Sequence, residues 1–288
     1  MKTKGFHHIT MNCRDPKENL WFYRDVLGFS FVKQTVNFDD PFTYHLYYGD
    51  EKGSPGTLLT FFPFENTPKA QHGCHEIRQL AFGIFDINYW EERLEKQNIS
   101  YTKDSLFGDE FLQFSDPDGL EIRLLVSQQN PSTQNIWGLL GVTITVSEEK
   151  TIQKILHEFG YEFSAKEQHI QRYVHAESNT FIDVEQTQTE PATFGYGQVH
   201  HLAFHMGDDD REQMRSDIQH MGYAITPVID RQYFYSLYFR IEQGVLFECA
   251  TTGPGMFVDE EELGSTLCIP KQHVHLTPLI RQKLETLQ

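Results

Sequence analysis

Long apolar runs are missing from this sequence. No stretch approaches the roughly 20 residues that a membrane-crossing helix needs. The start, Met1 to His7, lacks the apolar core of a signal peptide. The sequence therefore reads as a soluble, cytoplasmic protein. Basic residues are also scarce: 24 Lys and Arg stand against 41 Asp and Glu, for a formal charge of −17. Such a surface repels phosphates and anionic lipid heads, which argues against nucleic acid and membranes as partners. Cysteine is sparse as well. Cys13, Cys74, Cys249 and Cys268 form no CxxC pair, so neither cysteine-bound zinc nor redox work is expected. They read as reduced thiols, with Cys13 and Cys249 on buried strands. What is present suffices for folding. An apolar share of 39 % with 14 % aromatics over 288 residues can bury a core and argues against disorder.

The chain repeats itself. Gln79-Leu80-Ala81-Phe82 matches His201-Leu202-Ala203-Phe204, and the turn Asp116-Pro117-Asp118-Gly119 matches Glu242-Gln243-Gly244 at nearly the same offset. Four short strands of β-formers open four units, near Phe6–Asn12, Gln79–Phe85, Leu140–Val146 and His200–Met206. A helical stretch follows each. In the first, Asp15-Pro16 supplies an N-cap and a proline at the first helical position. Three helices end at a glycine followed by an aromatic residue: Gly28-Phe29, Gly160-Tyr161 and Gly222-Tyr223. A glycine there can take the left-handed C′ conformation. Two or three strands come next. The expected fold is α+β: four βαβββ repeats forming two cup-like modules, with a metal site in one cup. The expected modules are residues 1–130 and 135–255, joined near Gln128–Gln134, with a tail over 256–288 placed to wrap over the cup. The acidic run Asp259–Glu262 reads as a solvated face.

Equivalent slots in the four repeats differ in chemistry. The first-strand slot holds His8, Gln79, the Leu140/Gly141 region and His201. The last-strand slot holds Thr60, Arg123, Asp183 and Glu248. Only repeats one and four carry imidazoles, and only the fourth adds a glutamate. If those two repeats share a cup, His8, His201 and Glu248 face one another. Two imidazoles and one carboxylate leave open positions on a divalent ion, the facial arrangement suited to Fe(II) and O₂ chemistry. Repetition alone leaves this metal site level with the plainer reading of hydrogen-bonded strand histidines. Because neighbours on a strand point to opposite faces, His7 and His200 cannot share the orientation of His8 and His201.

Several stretches resemble the vicinal oxygen chelate superfamily, and within it the ring-cleaving dioxygenases of hydroquinones and catechols. They are Gly5 to Thr10, Thr35 to Asp50, Gly56 to Phe64, Gln198 to His205, Thr226 to Arg240 and Gly244 to Gly255. The middle, roughly Asn66 to Gln186, matches only as fold. The resemblance implies metal ligands at His8, His201 and Glu248. It further implies catalytic neighbours at His7, Thr10, His200, Arg231 and Tyr238. His45 is a further candidate for the cup lining.

The expected function is an Fe(II)-dependent dioxygenase that cleaves a hydroquinone or catechol ring, with Mn(II) or Zn(II) as alternative ions. Its partners would be a small aromatic substrate and O₂, with homo-oligomerisation left open. The alternatives are a glyoxalase-like lyase or thiol transferase using another divalent metal, and a binding protein that sequesters an aromatic compound. The two-carboxylate sites of the lyase type meet an obstacle in Thr60, a poor ligand.

Overall fold

The four units form as the spacing predicts. The computed structural model describes residues 2–127, 134–241, 244–284 and 287, with the backbone alone at 151. Repeat one comprises β1 (Phe6–Cys13), α1 (Pro16–Leu20), β2 (Ser30–Val36), β3 (Tyr44–Gly49) and β4 (Leu58–Pro63). Repeat two comprises β5 (Ile77–Ile84), α2 (Ile87–Lys96), β6 (Thr102–Leu106), β7 (Asp109–Ser115) and β8 (Glu121–Val126). Repeat three comprises β9 (Leu139–Val146), α3 (Lys150–Glu158), β10 (Tyr161–Glu167), β11 (Ile170–His175) and β12 (Phe181–Gln186). Repeat four comprises β13 (Gln198–His205), α4 (Arg211–His220), β14 (Ile229–Asp230), β15 (Phe234–Arg240) and β16 (Leu246–Pro254). A final helix, α5, covers Thr277–Lys283.

The local signals act as expected. The Asp15 side chain accepts from the backbone N–H groups of Lys17 and Glu18, with Pro16 inside the first turn. Beyond α1 the chain widens through Trp21–Val26, where the Leu27 N–H reaches back five residues to the Phe22 carbonyl at 2.9 Å. Gly28, Gly160 and Gly222 all have positive φ, at 81°, 93° and 97°.

Two eight-stranded sheets result. One runs β14-β15-β16-β13-β1-β4-β3-β2 and the other β10-β11-β12-β9-β5-β8-β7-β6. Within each repeat the last strand lies parallel to the first, since the helix crossover and the following meander bring it back in the same direction. The sheets are thus mixed rather than wholly antiparallel. The free edge of each first strand then pairs antiparallel with another first strand, β1 with β13 and β5 with β9. Repeat one therefore joins repeat four, and repeat two joins repeat three. Each sheet cuts across the expected division at residues 1–130 and 135–255. Of the candidate linker Gln128–Gln134, positions 128–133 lie outside the described residues.

Side-chain alternation gives the cup its chemistry. On β1, Ile9, Met11 and Cys13 enter the core, while His8, Thr10 and Asn12 take the other face. On β13 and β16, Leu202, Phe204, Phe247 and Cys249 are core residues, leaving His201 and Glu248 for the cup. All four cysteines are buried and free. Among the described residues, no helix is long and apolar enough to cross a membrane.

The second sheet repeats the frame but closes its cup. Arg172 on β11 donates to both Asp183 oxygens, at 2.8 and 2.9 Å, and also reaches Asp109. Its guanidinium stacks on Phe107 and Phe181, 4.4 and 4.0 Å from the ring centroids. The tail follows the first sheet instead. Lys33 of β2 is fully buried, its Nζ 2.8 Å from Asp259 and 2.7 Å from Glu260. A second Asp259 oxygen accepts from the Tyr233 hydroxyl at 2.9 Å. The Asp259–Glu262 run is therefore not simply a solvated face, because a buried ammonium requires counter-charge and two of these acids supply it.

Replacing Arg172 by methionine should cost about 3–5 kcal/mol, because it leaves the buried Asp183 uncompensated. Urea unfolding measures this, and Arg172→Met with Asp183→Leu should recover most of the loss.

Candidate metal centre

Strand register brings the three candidate ligands together. Thr10 of β1 pairs with His201 of β13, and Ala203, two residues on, pairs with Glu248 of β16. The same register recurs in every repeat: Thr60 opposite Thr10, Arg123 opposite Ala81, Asp183 opposite Thr143. The four slots are thus structurally equivalent, and Gly141 occupies the third first-strand slot. A Cβ there would lie 2.2 Å from the Phe181 ring, so that slot is filled by a neighbour's aromatic ring.

His8 Nε2 lies 3.3 Å from Glu248 Oε2 and 3.3 Å from His201 Nε2, and His201 Nε2 lies 2.9 Å from Glu248 Oε2. All three residues are buried. Donors about 2.1 Å from one first-row ion sit about 3.0 Å apart at right angles and about 3.4 Å apart at tetrahedral angles. Two of the three spacings, at 3.3 Å, fall in that interval, and the third, at 2.9 Å, lies just below it. Among the described residues, Glu248 Oε2 also has no hydrogen-bond partner, although it is buried. A lone carboxylate oxygen between two imidazole nitrogens suits a cation, so the residues fit a divalent metal ion.

Protonation states agree. Burial alone would raise the Glu248 carboxyl, but the His8 and His201 rings hold it well below the usual carboxylate range. Burial lowers His201 against the upward pull of Glu248. The other Glu248 oxygen accepts from the Ser236 hydroxyl, which leaves Oε2 to face the histidines.

Behind the candidate ligands stand the paired histidines. His7 Nε2 lies 2.9 Å from the Thr251 carbonyl, and its Nδ1 lies 2.8 Å from His8 Nδ1. A carbonyl only accepts, so His7 carries its proton on Nε2. Its Nδ1 then accepts from His8 Nδ1–H, and the His8 Nε2 lone pair faces the triad. Burial and then His8 push His7 well below its ordinary range, so it stays neutral. His200 Nδ1 pairs with His201 Nδ1 in the same way at 2.8 Å. Burial and then His201 push His200 down to about 3.

The triad opens on a cavity of about 360 Å³. His8, His201, His200, Arg231 and Tyr238 line it, and so does His45. Thr10 is fully buried and touches His201 Nε2 at 2.8 Å. His7 is set behind His8, its ring acting on that residue rather than facing the cavity. Tyr238 pairs directly with Glu248 across β15 and β16, and its hydroxyl accepts from Arg231 Nε at 3.2 Å. Arg231 in turn reaches Asp39 at 3.3 Å. Burial and Glu248 push the Tyr238 phenol above its ordinary range.

Sequence reasoning missed Ser236, Thr251 and Phe234. Ser236 was legible in principle: it sits two residues before Tyr238, on the same face of the same strand. Phe234 packs 5.1 Å from both the His7 and His8 rings. Thr251 acts through its carbonyl, which no side-chain pattern reveals. Exchanging His7 for leucine should weaken metal binding by about 10–100-fold, since the His8 Nδ1–H loses its acceptor. Competition with a chelator of known affinity measures the change.

Comparison with known proteins places this geometry in a family. Residues 5–124 match the family model described as the glyoxalase/bleomycin resistance protein/dioxygenase superfamily. MhqE of Bacillus subtilis (strain 168), provisionally named a ring-cleaving dioxygenase, is 38 % identical over 287 residues, covering 94 % of this chain and 95 % of that protein. The chlorohydroquinone/hydroquinone 1,2-dioxygenase of Sphingobium indicum is 29 % identical, covering 94 % of this chain and 92 % of that protein. A crystal structure of a provisionally named dioxygenase from Bacillus subtilis superposes with a TM-score of 0.94 at 37 % identity, covering 98 % of this chain and 97 % of the other. With the fold, the repeats and near-full-length relatives in agreement, this chain belongs to the glyoxalase/bleomycin resistance protein/dioxygenase superfamily.

Proposed function

We propose that this protein is an Fe(II)-dependent dioxygenase that cleaves the ring of a hydroquinone or catechol with O₂. The observation that carries the reading is the convergence of His8, His201 and Glu248 beside a cavity of about 360 Å³ that His8 and His201 line, large enough for an aromatic ring. The names of the relatives support the reaction class and the diphenol. A lyase or thiol transferase on this scaffold remains the second reading, but Thr60 occupies the slot where a second carboxylate would stand. Thr60 is engaged in hydrogen bonds to Thr10 and His45.

In this reading the His8 and His201 imidazoles and the Glu248 carboxylate would hold the ion. When bound, a redox-active divalent ion supplies open positions for substrate and O₂ and a path for electrons between them. The protein's own groups do the rest. Phe62, Phe64 and Phe234 line the cavity and supply apolar surface for an aromatic ring. Arg231 donates to the Tyr238 oxygen and offsets negative charge. The Tyr238 phenol stays protonated and can donate to a substrate oxygen. His200, neutral and part of the wall, can form a hydrogen bond with a bound molecule. Both atoms of O₂ would end in the ring-opened product.

Anaerobically prepared, Fe(II)-loaded protein should consume O₂ with a 1,2- or 1,4-diphenol. His201→Ala should lose the ion and the uptake together, as read by metal analysis and an oxygen electrode. No uptake by the fully iron-loaded wild type across a diphenol panel would falsify the assignment, and zinc with turnover of a thiol adduct would favour the second reading. Tyr238→Phe should retain the ion yet lower kcat by about 10²-fold, the scale of a lost proton donor.

A further inference from the structure

A line of hydrogen bonds leaves the triad and runs through the protein to the cavity wall. From His201 Nε2 it passes to Thr10 Oγ1 at 2.8 Å, then to Thr60 Oγ1 at 2.7 Å. From Thr60 it reaches His45 Nε2 at 2.9 Å, and His45 Nδ1 meets the Tyr47 hydroxyl at 3.0 Å. Every member is buried. Three strands supply it: β1 gives Thr10, β4 gives Thr60, and β3 gives His45 and Tyr47. Their register fixes the order, with Thr10 opposite Thr60 and Thr60 opposite Tyr47.

Each link shares a single proton, so the line has only two polarities. A neutral imidazole donates from one nitrogen and accepts at the other. Burial, then His8, His201 and Arg231, keeps His45 well below its ordinary range, against the upward pull of Glu248. Those groups and Tyr47 are the titratable and charged neighbours it faces. Burial raises the Tyr47 phenol well above its ordinary range. Both groups therefore stay neutral. In one polarity Tyr47 donates to His45, His45 to Thr60 and Thr60 to Thr10, which leaves the Thr10 proton aimed at the triad. In the other, every proton points away. The His201 Nε2 lone pair, required for a ligand, selects the first.

An ion would take that lone pair, and the Thr10 proton would then need another acceptor beside the triad. We propose that Tyr47, His45 and Thr60 are positioning residues that hold the Thr10 hydroxyl as a hydrogen-bond donor toward an anionic oxygen bound there, the ionised hydroxyl of a diphenol. This inference rests on the diphenol reading above. The line carries no net proton. The proton lost by the diphenol goes to solvent, and the line lowers the pH at which it leaves.

The test uses anaerobic Fe(II)-loaded protein with 4-nitrocatechol as the probe, whose visible spectrum reports its ionisation. In Thr60→Val, the pH midpoint for ionisation of the bound probe should rise by about one unit, the scale of a lost hydrogen bond to a charged oxygen. Tyr47→Phe, which removes only the far hydroxyl, should move it the same way by less. Thr60→Ser should restore the wild-type midpoint. Unchanged midpoints in Thr60→Val and Tyr47→Phe at full ion content overturn the inference and leave the functional reading standing. If Thr60→Val fails to fold or to hold the ion, an unmoved midpoint in Tyr47→Phe overturns it by itself. A wild type that binds no probe at all overturns both.

Discussion

The antiparallel pairing of β1 with β13 is the constraint on which the site depends. It sets Thr10 opposite His201, and through β16 it brings Glu248 to the same face. The two histidines are 193 residues apart in the chain. A slip of one residue in either strand would turn His8 or His201 into the core and present Ile9 or Leu202 to the cavity. The apolar partners on the reverse face therefore guard the register. Ile9, Met11, Leu202 and Phe204 are buried in one continuous core, so a slip would also expose polar groups to it.

The same frame serves two ends. In the first sheet, equivalent slots present imidazoles and a carboxylate around an open cavity. In the second, Gln79, Gly141, Arg123 and Asp183 take those places, and Arg172 with Phe107 and Phe181 fills the space. One sheet leaves the Glu248 carboxylate facing two imidazoles. The other cancels its charges internally, which makes it a scaffold. The difference is a matter of side chains, since the backbone registers coincide.

Much of this was legible in the sequence. Four strand-helix units, the Asp15-Pro16 start and the glycine stops all rest on local rules, and local rules survive folding. Comparing slots across repeats singled out the candidate ligands, because register is shared, and the family resemblance tipped the balance toward them. Partnership between repeats was harder to read. The choice of β13 over β5 as the neighbour of β1 is a long-range matter, and the sheets consequently cross the midpoint division read from the chain. Contacts made by backbone carbonyls, such as Thr251 on His7, were invisible for the same reason. The Asp259–Glu262 run misled because its counter-ion, Lys33, lies more than two hundred residues away.

That last pairing has a consequence for the rim of the first sheet. Its outermost strands, β2 and β14, would each present unsatisfied backbone groups to any passing chain. The tail ties them together: Asp259 holds Lys33 on β2 with one oxygen and Tyr233, at the β14–β15 turn, with the other. It acts as a buckle across an open seam. The two outer edges of the sheet are thereby clasped by a segment that contributes no strand to it.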